Sequence, residues 1–140
     1  MIFREATAAD IPAMHEVRMS VKENLLSDPS VVKEADYLDY INRKGKAWVC
    51  AVDEKVVGFS VVDLEENNVW ALFVKPGFDN RGIGKQLHHI MIHWYFTKTA
   101  APITLTTASG TRAARFYMLN GWKETGRKEN GEIIFIKESN

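Results

Sequence analysis

Between Ala47 and Val74 the chain reads AWVCAVDEKVVGFSVVDLEENNVWALFV, apolar and β-branched runs interrupted only by DEK and by EENN. Such runs favour strands, and interruptions this short leave room for hairpins and little else. A three-stranded antiparallel meander is therefore predicted, its third strand covering Val69 to Val74. Whatever the rest of the chain does, it has to be built around that sheet.

The segments on either side supply further elements. IFREA is a short strand, followed by Thr7 as a helix cap with Asp10 three residues on and Pro12 in the first turn. Ile11, Met14, Val17 and Val21 recur at helical spacing, which predicts a helix reaching Asn24, broken by LLSDPS. A second helix is expected from Val31 to Asn42, with Val31, Ala35, Leu38 and Ile41 on one face and Gly45 at its end. After the meander, Ile83, Leu87, Ile90, Met91 and Trp94 form one stripe of a helix running to about Phe96. ITLTTA is a strand and GTRAARFYMLN a short helix closed by Gly121. WKETGR and GEIIFIKE form a last hairpin turned at Asn130 and Gly131. The order is βααβββαβαββ.

At 140 residues, with no linker or repeat, residues 1–140 are expected to form one domain. Eighteen basic residues balance eighteen acidic ones, so no overall field draws the chain to nucleic acid or to an anionic membrane. The N-terminal residues contain no sustained apolar segment, and a soluble, cytoplasmic protein is expected. The single cysteine, Cys50, lies in an apolar run and is read as a small core residue.

FDNRGIGKQL, residues 78–87, joins the third strand of the meander to the long helix. Glycines at such a junction either permit a tight turn or let a ligand approach bare amides at a helix N-terminus, where an anion is stabilised. Two phosphate motifs are excluded. The Walker pattern fails because Gly84 and Lys85 are followed by Gln86 and position 79 is Asp; the dinucleotide pattern fails for want of a third glycine.

The lead-in LFVKP, the glycine loop, the long helix and AARFYMLNGW together resemble the GNAT superfamily of N-acetyltransferases across essentially the whole chain. That family's loop reads Gln/Arg-x-x-Gly-x-Gly/Ala, and its later helix reads roughly Asn-x-x-Ala-x-x-Phe-Tyr. The resemblance implies an α/β (α+β) single-domain fold, a mixed, largely antiparallel twisted sheet of about seven strands flanked by about four helices. It also implies acetyl-CoA as acyl donor, no metal, and a small-molecule or peptide amine as acceptor, with a homodimer possible. An acyl-CoA-binding or sensing domain without catalysis is the alternative.

By resemblance, the coenzyme's diphosphate falls to Asn80, Arg81, Gly82, Ile83, Gly84 and Lys85, and its pantetheine arm to the backbone of Leu72, Phe73 and Val74. Tyr117 matches the tyrosine that protonates the leaving thiolate, and Phe116 beside it is expected in the core. A backbone amide near Phe73 or Val74 is the expected oxyanion donor. Asp79 and Gly110 depart from the family pattern. So does Asn68, which stands where some members carry a catalytic glutamate. Glu66 is then a candidate base, on the same face if the strand reaches it, and ordered water is the other route for the proton. Arg18, Asn24, Tyr37 and Tyr40 are candidates for the acceptor side, and Trp70 for its pocket, while Trp48, Trp94 and Trp122 are read as core. His89 and His93 have i, i+4 spacing, but with no third ligand a metal site is not expected; His88 is placed with them on the outer face, and His15 is read as structural.

Overall fold

The computed structural model of the chain describes residues 1–21 and 32–139. β1 (Ile2–Glu5) leads through a 3-10 turn (Ala8–Asp10) into α1 (Ile11–Ser20). Next comes α2 (Glu34–Asp39), continued by one wide π turn (Tyr40–Lys44). The meander is β2 (Gly45–Val52), β3 (Lys55–Asp63) and β4 (Asn68–Val74). α3 (Ile83–Lys98), β5 (Ile103–Thr107), α4 (Arg112–Leu119) and the hairpin of β6 (Lys123–Arg127) and β7 (Ile133–Lys137) complete the order expected from sequence.

The first two helices are shorter than their periodicity suggests. Val21 is already extended, at φ −84° and ψ 118°, and the Ser20 hydroxyl donates to the Val17 carbonyl at 2.6 Å, a bond that competes with helix propagation. Asn24, the LLSDPS break and the expected helix start at Val31 lie outside the described residues. α2 begins at Glu34 because Lys33 is extended and its N–H donates to the Asp36 carboxylate at 2.8 Å, which closes the first turn. Six residues are too few for a helix to persist alone. Tyr37 anchors it, fully buried and with its hydroxyl 2.8 Å from His15 Nδ1, so His15 is structural.

One seven-stranded sheet runs in the order β1-β2-β3-β4-β5-β7-β6, antiparallel everywhere except between β4 and β5. The β2–β3 hairpin turns on Asp53 and Glu54, both with positive φ (51° and 66°), the backbone hand that suits the twist of paired strands. One face packs on α1 and α2 through Met14, Val17, Tyr37, Val49, Phe59 and Val61. The other packs on α3 and α4 through Cys50, Leu87, Met91, Tyr95, Ile103 and Phe135. Burying a side chain such as Leu87 or Met91 contributes about 2 kcal/mol, and the α3 stripe supplies several of them. That stripe is Ile83, Leu87, His88, Met91, Ile92 and Tyr95, with Ile90 and Trp94 half-buried at its flank. The expected stripe was thus rotated by a fraction of a turn, and His88 lies inside it, not on the outer face.

β4 positions everything that follows. It is paired to β3 along its length, but its register with β5 holds a single pair, Asn68 with Thr104, after which the two parallel strands diverge. Opposite Val61 and Val62, β4 places Ala71 and Val69, so Trp70 is an extra residue, a β-bulge. The bulge reverses the alternation of side chains. Leu72 and Val74 face the α3 layer and Ala71 and Phe73 the α1 layer, as a regular strand requires, but upstream Val69 joins the α3 layer and Trp70 the α1 layer.

Candidate functional site

At its C-terminal end β4 enters a loop held in shape by its own backbone. Lys75 N–H donates to the Val57 carbonyl at 2.7 Å, and Phe78 N–H to the Lys75 carbonyl at 3.0 Å. Three of its residues are left-handed: Gly77 (φ 95°), Asn80 (φ 62°) and Gly82 (φ 81°). Successive amides in such a path form a concavity suited to an anion. Gly82 caps α3 without any side chain to accept from the first-turn amides. A Cβ built on Gly82 meets nothing within 4 Å, and one on Gly84 meets only Val74 Cγ2, at an ordinary 3.6 Å. Packing therefore demands neither glycine. Positive φ explains Gly82, and the open space in front of both is a cradle that suits a phosphate.

Beside this cradle stand two exposed cations and one carboxylate. Arg81 lies over the Phe78 ring at 5.1 Å, and Lys85 stands on the first turn of α3. Asp79 is the carboxylate. Its Oδ1 accepts from Gly77 N–H at 3.2 Å and its Oδ2 from Arg112 Nη1 at 2.6 Å, and Arg112 holds the carboxyl below its usual range. Leu72, Phe73 and Val74 lead directly into the cradle. Past Asn68, their edge toward β5 has no strand partner among the described residues, so the backbone there is open to an extended ligand.

At the other end of β4, a cavity of about 300 Å³ lies beside the one β4–β5 pair, lined by Asn68, Trp70, Thr104, Thr106, Lys128 and Ile134 among others. Asn68 Oδ1 is buried and has no hydrogen-bond partner among the described residues. An orphaned acceptor of this kind is costly and open to a donor from water or a ligand. Trp70 is fixed by aromatic neighbours: Tyr40 stacks on it at 4.4 Å between centroids and Tyr37 meets it edge-on at 5.1 Å. The Arg18 guanidinium covers its other surroundings, 4.6 Å from the Trp70 ring and 5.0 Å from that of Phe73. Burial, together with the charge of Asp63, pushes the Tyr40 hydroxyl up to about 12. Of the acceptor-side candidates, Arg18, Tyr37 and Tyr40 thus gather around Trp70, while Asn24 lies outside the described residues.

Among the described residues, no carboxylate lines this cavity. Glu66 is exposed in the β3–β4 turn, where its N–H donates to Asp63 Oδ1 at 3.1 Å. Asp63 spends the same oxygen on Glu65 N–H at 2.7 Å.

Tyr117 projects from α4 into the sheet layer, 6% exposed, among the rings of Trp122 (5.5 Å), Phe135 (6.2 Å) and His88 (6.3 Å). Burial raises its phenol far above neutrality, so it carries its proton. Phe116, expected in the core, is only half-buried, because α4 turns Ala114 and Tyr117 inward. His88 accepts from the Trp122 indole N–H at 2.9 Å, and burial lowers its imidazole to about 4, so it is neutral. His89 and His93 stack at 6.3 Å on the exposed side of α3, and no group of three metal-ligating residues occurs among the described residues. No helix among them is long and apolar enough to cross a membrane.

Three features escaped the sequence reading. The bulge at Trp70 has no local signature, and the Asp79–Arg112 pair joins residues far apart in the chain. The third, the buried oxygen of Asn68 with no partner among the described residues, did have a signal, an amide opening an otherwise apolar strand, but the sequence reading named Asn68 only as a departure from the family pattern.

A family description for the acetyltransferase (GNAT) domain matches residues 43–124, more than half of the chain. No curated protein matches the sequence. Solved structures resemble the fold over nearly its full length. The PaiA N-acetyltransferase of Thermoplasma acidophilum, in complex with coenzyme A, superposes with a TM-score of 0.83 at 19% identity, over 99% of this chain and 98% of that one. An acetyltransferase of the GNAT family from Staphylococcus aureus Mu50 gives 0.83 at 21% identity, over 98% of each chain. The ribosomal-protein-S18-alanine N-acetyltransferase of Escherichia coli gives 0.78 at 17% identity, over 98% of this chain and 92% of that one.

Proposed function

The chain belongs to the GNAT acetyltransferase family, and on that premise we propose that it moves an acetyl group from acetyl-CoA to an amine of a small molecule or peptide, by direct attack with both substrates bound. The single observation that carries this reading is the divergence of β4 from β5 after one pair. It opens a slot whose one end meets the glycine cradle and whose other end meets the Asn68 cavity.

Acetyl-CoA supplies an activated acyl group and a good leaving thiolate; this chain's residues bind, orient and manage protons. Amides of Asn80 to Lys85 hold the diphosphate at the start of α3, with Arg81 and Lys85 adding charge. The free edge of Leu72, Phe73 and Val74 pairs with the amides of the pantetheine arm, and an N–H near Phe73 or Val74 donates to the acyl oxygen as charge develops there. Tyr117 keeps its proton until a thiolate takes it.

On the acceptor side, Asn68 Oδ1 accepts an N–H from the incoming amine and turns its lone pair toward the slot. Lys128 at the cavity wall and Arg18 behind Trp70 favour the neutral, nucleophilic form of that amine. With Glu66 exposed and outside the cavity lining, ordered water is the better route for the amine proton.

Calorimetric titration with acetyl-CoA is the first test, and absence of binding at millimolar ligand would end this reading. Lack of a carboxylate among the described residues that line the cavity favours one rival, a domain that binds acyl-CoA without turnover. A panel of amines assayed for release of free CoA thiol separates the two.

A further inference from the structure

The ion pair between Asp79 and Arg112 joins places that the sheet has pulled apart. Asp79 belongs to the loop that leaves β4, and Arg112 is the first residue of α4, just beyond the end of β5. Since β4 and β5 part after Asn68 and Thr104, the 2.6 Å contact spans the mouth of the slot at its coenzyme end. Arg112 is 63% exposed and Asp79 35%, so the pair adds little to the stability of the fold. It does, however, set a carboxylate beside a cradle otherwise built for an anion. A phosphate presents the same oxygen acceptors to a guanidinium with more charge, and the planar fork of arginine suits either.

We propose that Asp79 is a stand-in for a phosphate, and that coenzyme binding moves Arg112 from the Asp79 carboxylate to a phosphate group of the coenzyme. The inference rests on the acetyl-CoA reading above and adds a specificity residue to it. No covalent step is involved. Asp79, half-exposed, returns to water, and the competition it offers keeps coenzyme affinity below what the cradle and Arg112 together would give.

The test is a double-mutant cycle, with calorimetric Kd values for coenzyme A and for dephospho-coenzyme A on the wild type, Asp79→Asn, Arg112→Gln and the double variant. Asp79→Asn should tighten coenzyme A about threefold to tenfold, and Arg112→Gln should weaken it about tenfold. In the Arg112→Gln background, Asp79→Asn should change little. An Arg112→Gln penalty that disappears with dephospho-coenzyme A assigns the contact to the 3′-phosphate, and one that persists assigns it to the diphosphate; both support the exchange. An Asp79→Asn protein that binds no better than wild type overturns it, as does a gain that survives without Arg112. A fall in melting temperature of more than about 2 °C in either single variant would mark the pair as structural and overturn it as well. A wild type that binds no coenzyme at all is a different result, because then the acetyltransferase reading falls and takes this inference with it.

Discussion

At its C-terminal end β4 runs into a loop whose useful groups are main-chain amides, whereas at its N-terminal end a bulge and the side chains of Asn68 and Trp70 shape a cavity. Between them the strand is ordinary core, with Leu72 on one face and Phe73 on the other. The difference teaches where variation is tolerated. On the proposed reading, a backbone cradle would recognise what all acyl-CoA donors share and depend on glycine conformation, while a side-chain cavity can be re-cut one residue at a time without disturbing the glycine loop.

The sharpest probe of that division is Tyr117, whose proposed role lies where the two ends meet. Tyr117→Phe should lower turnover about a thousandfold, the middle of the range for a positioned general acid, and leave the coenzyme Kd within about twofold. Steady-state kinetics beside calorimetry read both; unchanged turnover would remove Tyr117 from the chemistry.

His88 is the control, since it belongs to neither end. Its folded pKa, lowered to about 4 from 6.5 chiefly by burial, means that the unfolded chain takes up a proton first as pH falls. Stability is therefore full above pH 6.5, declines by about 3 kcal/mol as pH drops to about 4, and loses nothing further from this group below that. Urea unfolding at several pH values should show this loss in the wild type and not in His88→Asn. Identical slopes in the two proteins would refute the assignment. At neutral pH the coenzyme Kd of His88→Asn should match the wild type.

Gly82→Ala attacks the backbone end alone. Holding alanine at φ 81° costs about 1–2 kcal/mol, and the new methyl group stands in the cradle, so coenzyme affinity should fall about tenfold with the acceptor KM unchanged. A matching shift in the acceptor KM would break the comparison.

Asn68→Val is the mirror-image probe, with the smallest effect. It deletes an orphaned acceptor, so thermal unfolding should report a gain of about 1 kcal/mol, and the acceptor KM should rise severalfold at constant coenzyme Kd. A loss of stability would mean that the Asn68 oxygen is satisfied in solution.

These two ends were not equally legible. Gly82, Gly84 and the alternating apolar runs announce a strand, a bare loop and a helix start, because backbone conformation is a local property and glycine is its marker. At α4 the sequence put Phe116 in the core, and the helix turns Tyr117 inward instead. The Asn68 cavity was opaque. Its shape depends on the pairing of Val61 and Val62 with Ala71 and Val69, on Tyr40 being carried over Trp70 by a π turn, and on Thr104 arriving from a distant strand. None of these is written in the spacing of neighbouring residues. The same holds for Asp79, which reads as a departure from a motif until Arg112 is seen to hold it.

One extra residue in β4 also makes the shape of the cavity beside Asn68 a matter of counting. Excising Trp70 would leave Val69 paired with Val62 and Ala71 with Val61, so Asn68 and Val69 would keep their sides of the sheet and the cavity would lose only the indole that lines it. The ring could thus be lost or gained through a single codon while the strand's pairing on either side stayed as it is.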